Sequence, residues 1–433
     1  MELLKSVVNP NEDQLEALFS RYVDKEVNLK DQVRTIINQV KTDGDKALIS
    51  LTKQIDNVEL DNLLVSKEKL KEYSLLIDDK LKTSIDRAFN NIKKFHEAQI
   101  PKDEFVEIEK GINLWRKSIP IENVGIYIPG GSAPLFSTLL MTATLAKIAK
   151  CKRVVVTTPP TKEGKVDPAI SYVALKLDVD EFYLVGGAQA IAALAYGTES
   201  IKKVDKIFGP GNRWVTEAKV QVSEVCTIDM PAGPSEVMVV IDNTSKAEFV
   251  SSDLLSQLEH GIDSQAILVV YDKDVGKGLK IKSLVEDFLI DQMASLKRED
   301  VVRESLKNSM AVIVDSKELL VKVINSYAAE HLLLQTVDCD KLAEKVVNGA
   351  SVFIGPYSCE SAGDYASGTN HTLPTNRWAR SLSGLSLDSF LKKVTFQKLS
   401  KEGLKSIGPT IINMAENEKL DAHALAVKVR LKK

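Results

Sequence analysis

Through the middle of the chain, short apolar runs alternate with stretches of helical period. Ile119 to Ser132 reads as a strand that breaks into a glycine turn, and a helix is predicted from Leu135 to Lys150. The run Arg153-Val-Val-Val-Thr-Thr is a second strand, stopped by Pro159-Pro160, and a helix follows near 168–176. Glu181–Val185 runs into Gly186-Gly187, a helix covers 188–196, and Lys206-Ile-Phe ends in Gly209-Pro-Gly211. Continuous apolar strands alternating with helices of this length predict a parallel α/β sheet.

The same texture returns after 236. Strands are predicted at 237–241, 265–270, 311–314 and from Leu332, with helical stretches over 281–308 and 316–329. Between them, Val250, Leu254 and Leu258 make an i, i+4, i+8 stripe, so the stretch ending at Gly261 reads as a helix. Ser245-x-x-Glu248 predicts a capping box at its start. Gln257 and His260 share a face near its end. The segment from Ser351 to Pro374 is dense in Gly, Ser, Asp and His and is expected to lack regular structure after its first residues, as functional loops do.

Residues 1–115 have helical spacing instead. Helices are expected after Asn9, from Asn28 to Gly44 and between Ser66 and His96, with His96 itself exposed among charged residues. The expected organisation is a helical N-terminal segment (1–25), two parallel α/β domains of Rossmann-like type, and a C-terminal arm (381–433). The first domain is built from 26–120 and 236–380, and the second from 121–235.

Composition narrows the function class. The 433 residues, 44% of them hydrophobic, can bury a large core. A net charge of -3 with mixed signs argues against a nucleic-acid or anionic-membrane surface. No apolar run reaches transmembrane length. The N-terminus has no signal-peptide pattern. The four cysteines form no C-x-x-C pair and read as reduced thiols of a cytoplasmic protein.

The candidate chemistry lies at the breaks in the pattern. Three strand-ending glycine turns suit a nucleotide, because backbone N–H groups and helix N-termini can approach phosphate there. A G-x-G-x-x-G fingerprint is absent. Four of the five histidines fall in or beside the unusual segments. Gln257, His260, Asp364 and His423 together offer one amide, one carboxylate and two imidazoles, a set that suits zinc. Glu330 and His331 are adjacent, are expected to point apart, and could serve two proton-transfer roles. Two other readings remain open on these residues. One is a zinc hydrolase with Glu330 as general base; the other is a nucleotide-binding regulator with a structural metal.

The motifs, taken in order, resemble the histidinol dehydrogenase family. They are Val124-Gly-Ile-Tyr-Ile-Pro-Gly-Gly-Ser, Val185-Gly-Gly-Ala-Gln-Ala-Ile-Ala-Ala-Leu-Ala, Asp205-Lys-Ile-Phe-Gly-Pro-Gly-Asn, Ile228-Asp-Met-Pro-Ala-Gly-Pro-Ser-Glu, Leu254-Leu-Ser-Gln-Leu-Glu-His-Gly, Glu330-His331, Ser361-Ala-Gly-Asp-Tyr-Ala-Ser-Gly-Thr-Asn-His-Thr-Leu-Pro-Thr and Ala422-His423. The likeness runs from roughly residue 30 to the C-terminus. It implies a zinc-containing, NAD-dependent enzyme that oxidises L-histidinol to L-histidine through the aldehyde. It assigns Gln257, His260, Asp364 and His423 to zinc, Glu330 and His331 to acid–base work, and Tyr127, Gln189 and Asn212 to NAD. Ser235 and Glu418 would join the zinc ligands and His331 around the substrate, and His371 would lie close by. It further implies an intertwined homodimer in which His423 completes the partner's zinc site. His331, neutral near pH 7, would act as the base, and Glu330 would activate water for the second oxidation.

The chain departs from the family pattern at three places. Asn376-Arg377-Trp378 replaces a turn that often contains glycine, Leu145 stands where proline is common, and Lys150 where glycine is common.

Overall fold

The computed structural model describes residues 3–19, 28–130, 134–231 and 233–432. Two parallel sheets dominate, as the alternating pattern predicted. The larger has six strands in the order Lys5–Val8, Met310–Val314, Gln265–Tyr271, Glu236–Ile241, His331–Gln335, Ser351–Ile354. The smaller has five, in the order Glu181–Leu184, Arg153–Thr158, Asn123–Tyr127, Lys206–Phe208, Thr227–Ile228. All described pairs in both are parallel.

The strands read as unbroken apolar runs because both faces are covered. In Glu236–Ile241 every residue is buried. Val237, Val239 and Ile241 pack with Val250, Leu254 and Leu258 of the helix Ala247–Leu258. Met238 and Val240 face the other way, towards Leu320, Tyr327 and Phe19. Each fully buried leucine of that helix contributes about 1.5–3 kcal/mol. This layering holds fixed the helix that carries Gln257.

The strand Lys5–Val8, the hairpin over 104–120 and the full length of the helix from Leu29 escaped the sequence pattern. The N-terminal segment opens with the strand Lys5–Val8, an edge of the large sheet. Glu104–Glu109 and Ile112–Pro120 form a hairpin, and Leu391–Leu399 pairs antiparallel along the latter. The C-terminal segment then continues as the helices Lys401–Asn417 and Asp421–Leu431. Finally, the helix expected to stop at Gly44 runs over Leu29–Asp56, kinked at Gly44, where φ is 54° and ψ is -130°.

His96 is a correction. It is buried on the helix Asp79–Glu97, in line with Ile85, Ala88 and Ile92. Its Nδ1 lies 3.1 Å from Gln99 Oε1, and burial holds its pKa below the ordinary value. The capping box at Ser245 is also not formed. The helix begins one residue later, after Lys246, and the Ser245 hydroxyl instead accepts from Asp242 N–H (3.0 Å) and donates to Gln335 O (2.6 Å).

The departures from the family pattern are tolerated in different ways. Leu145 is buried within the helix Phe136–Ala149. Lys150 caps that helix in the left-handed region at φ 65°, where glycine costs least. Asn376 and Arg377 are left-handed in succession, at φ 57° and 65°. Arg377 is held there by a two-pronged ion pair with Glu16, at 2.6 and 2.7 Å.

Candidate active site

The site gathers at the carboxyl end of the Ala247–Leu258 helix and at the neighbouring ends of Glu236–Ile241 and His331–Gln335. His331 opens its strand and pairs in register with Val237. Glu330 lies just before the strand, so strict alternation does not apply to it. The two side chains therefore approach each other, with His331 Nδ1 3.7 Å from Glu330 Oε2.

Both are braced by the backbone of Glu236. Its N–H donates to Glu330 Oε2 (2.8 Å), and its carbonyl lies 3.3 Å from His331 Nδ1. That contact makes Nδ1 a donor, and Nε2 lies 3.2 Å from Asp364 Oδ1. The Glu236 side chain accepts from Asn376 N–H, tying the departing turn to the site. Ser235, the preceding residue, is half-buried and uses its carbonyl to accept from Gln265 N–H (3.0 Å).

Asp364 is not on an irregular loop as expected. It sits on a short helix, Glu360–Tyr365, and on the same turn face as Glu360. Glu360 is fully buried and escaped the sequence reading. The i, i+4 spacing of Glu360 and Asp364 was the available signal, hidden by Gly363 and the serines around it. His260, Glu360 and Asp364 each present a ligand atom within 4.8 Å of the others. His260 lies just beyond its helix, and Gln257 is in the last turn, buried.

Gln257 supplies a test of whether this pocket suits a cation. As placed, its amide oxygen faces the Glu360 carboxylate, acceptor against acceptor. Exchanging the amide's oxygen and nitrogen would satisfy both ends within the protein, with the oxygen accepting from Glu236 N–H at 2.6 Å. Unexchanged, two oxygen donors converge beside His260 and Asp364, which is an arrangement that a cation stabilises.

The electrostatics are those of a buried acid cluster. Burial, with the Asp364 and Glu330 charges, pushes the Glu360 carboxyl well above its ordinary range. Burial would likewise raise Asp364, but the hydrogen bond from His331 holds it low. Burial alone would lower His331. The Glu330 and Glu360 carboxylates and the bond to Asp364 outweigh it, so His331 is held protonated well above its ordinary value. His371 bridges the two sheets' elements: its Nδ1 is 3.0 Å from Asp364 O and its Nε2 is 3.0 Å from Thr138 Oγ1. Burial lowers its pKa.

Glu418 and His423 are exposed on the C-terminal helical hairpin and stand outside the His260–Glu360–Asp364 cluster of their own chain.

The other three expected residues lie on the small sheet. Tyr127 ends its strand, buried, and its hydroxyl accepts from Gly187 N–H (3.2 Å); burial pushes its pKa up to about 12. Asn212 is exposed and caps the helix Arg213–Val222, accepting from Trp214 and Val215 N–H (3.0 and 3.2 Å). Gln189 is 1% exposed in the first turn of Gly187–Tyr196, and neither atom of its amide has a hydrogen-bond partner. A buried amide left unpaired is unusual, and these two atoms fit a polar ligand. Around it, Gly187 takes φ 62° and Gly209 takes φ 119°, where a Cβ would lie 2.0 Å from Tyr127 O. The turns are therefore cut close for backbone approach.

Comparison with known proteins agrees with this fold. A family model for histidinol dehydrogenase matches residues 20–431. A histidinol dehydrogenase of Bacteroides thetaiotaomicron is 47% identical over 430 residues, covering 99% of each chain. One of Aliivibrio fischeri is 46% identical over 409 residues, covering 94% of this chain and 91% of the other. The crystal structure of histidinol dehydrogenase from Elizabethkingia anophelis superposes with a TM-score of 0.95 at 46% identity, covering 100% of this chain and 98% of that one. Fold and relatives together define an oxidoreductase of the α/β class. More particularly, the chain belongs to the histidinol dehydrogenase family.

Proposed function

We propose that the chain oxidises L-histidinol to L-histidine through the bound aldehyde, in the cytoplasm, with one zinc and two NAD consumed per turnover. The observation that carries the reading is the pairing of Glu330 and His331 on the Glu236 backbone, opening onto the His260–Glu360–Asp364 cluster. Gln257, His260 and Asp364 would hold the metal, and the exposed His423 of a second copy would complete its shell. Glu418 would come from the same copy to hold substrate with Ser235, making the active unit a homodimer with shared sites.

Bound there, zinc would fix the substrate's nitrogen donors and offset the carboxylate charge that keeps His331 protonated. NAD, on the turns carrying Tyr127, Gln189 and Asn212, would supply the hydride acceptor. His331 Nε2 takes the hydroxyl proton as the carbinol C–H bond breaks, which leaves the aldehyde. Glu330 then takes a proton from water as its oxygen bonds to the aldehyde carbon. His331 removes the hydrate's proton in the second oxidation. Overall, alcohol and water become carboxylate, with two hydrides transferred and three protons released. Holding the aldehyde in a buried pocket prevents its escape.

The test is NADH absorbance on mixing chain, zinc, NAD and L-histidinol. The reading predicts two NADH per histidinol consumed. No NADH, or one NADH with free aldehyde accumulating, would overturn it.

A further inference from the structure

Behind the turn that ends Lys206–Phe208 lies an ion pair that has no role in the chemistry above. The side chains of Lys219, on the helix Arg213–Val222, and Asp229, just after Thr227–Ile228, are 3% and 1% exposed and in contact. Lys219 Nζ also donates to Gly209 O (2.9 Å), and Asp229 Oδ2 accepts from Gly209 N–H (2.8 Å). Asp229 Oδ1 accepts from Met230 N–H (2.7 Å), and Asp229 N–H donates to Ile207 O (2.9 Å). Both backbone polar groups of Gly209 are thus committed to this pair. Gly209 is the residue pressed against Tyr127 O, and Asn212 follows three positions later. The neighbouring half-buried Lys206 donates to Ser389 O (2.9 Å) and also feels the Asp229 charge.

Stability alone does not account for such a pair. A buried ion pair costs so much desolvation that well-packed apolar residues often replace it without loss. What the pair adds is direction: it grips a glycine from both sides and allows its turn one shape. We propose that Lys219 and Asp229 are positioning residues for the dinucleotide, locking the Gly209–Asn212 turn in the form that presents Asn212 and Tyr127 to NAD. The proposal rests on the NAD reading above. Neither residue touches the cofactor in this account; they act through Gly209.

The experiment is NAD titration calorimetry on the full-length chain, paired with steady-state kinetics and zinc content, for wild type, K219M and K219M/D229N. The double variant removes both charges of the pair and keeps an acceptor for Gly209 N–H, which limits the disturbance to the fold. The expected result is NAD affinity weakened roughly tenfold or more in both variants. KM for NAD should rise by more than kcat falls. Zinc content, read on the other sheet, should be unchanged. A folded double variant that binds NAD as wild type does would overturn the role of the pair alone. Loss of zinc together with NAD affinity would show a general collapse and also overturn it. A wild-type chain that binds no NAD would remove the underlying reading and the proposal with it.

Discussion

His331 Nε2 lies 3.2 Å from Asp364 Oδ1, across 33 positions of sequence. One residue opens an interior strand of the large sheet and the other lies in the last turn of the short helix Glu360–Tyr365, so the contact is made by the tertiary fold alone. Through it, the proposed base and a proposed metal ligand form one unit. His331→Asn should lower kcat by about 10²–10⁴ while bound zinc stays at one per chain. A near-wild-type rate would remove His331 from the proton transfers.

Glu330 makes a separable prediction. Its carboxylate is positioned by Glu236 N–H, a contact the amide of Glu330→Gln can keep. That variant should slow aldehyde oxidation more than alcohol oxidation, because only the former needs activated water. Stopped-flow assays started from each substrate measure the two steps. Equal losses would contradict the division of labour.

Gln189 should show opposite effects on stability and binding. Its unpaired amide costs the free chain about 1–3 kcal/mol, so Gln189→Leu should leave the thermal midpoint unchanged or raise it. NAD affinity should fall by roughly tenfold. A destabilised variant with normal NAD binding would show that the amide serves the fold instead.

Asp253 predicts a pH dependence of stability. Burial raises its pKa from 3.8 to about 6, against the opposing hydrogen bond from Gln335 Nε2 at 2.7 Å. The folded state therefore binds this proton more tightly than the unfolded state does. Its contribution favours folding below about pH 4 and is lost as pH rises through about 6. The rise is worth at most roughly 3 kcal/mol. Asp253→Asn should gain stability over wild type at pH 7–8, and the gap should close towards pH 4 in urea titrations. A constant difference across that range would refute the assignment.

Most of both sheets was legible because doubly covered strands must be continuously apolar, and glycine ends them where the chain turns. His260 and His331 stood out by scarcity, whereas Gln257, Glu330 and Asp364 gained their expected roles from the family resemblance. Glu360 did not, since one glutamate among many acquires meaning only when a short helix places it one turn from Asp364. His96 was misjudged from its charged neighbours, although its spacing from Ile85, Ala88 and Ile92 already put it on the apolar face. The strand Lys5–Val8 is a short edge whose partner, Met310–Val314, lies far along the chain, so no local signal marks it. The Ser245 cap failed because its hydroxyl has tertiary partners in Asp242 and Gln335. The Lys219–Asp229 clamp was equally hidden, since each residue alone is an ordinary helix or loop charge.

The central claim is that one pocket beside Glu330 and His331 holds the metal on which the reaction depends. Anomalous diffraction at the zinc edge, on crystals of the zinc-loaded chain, tests this most directly. The account predicts a single strong peak per chain, bonded to Gln257, His260 and Asp364 and to His423 from a second copy. A peak elsewhere, or one with no side chain from a second copy in its shell, would contradict it.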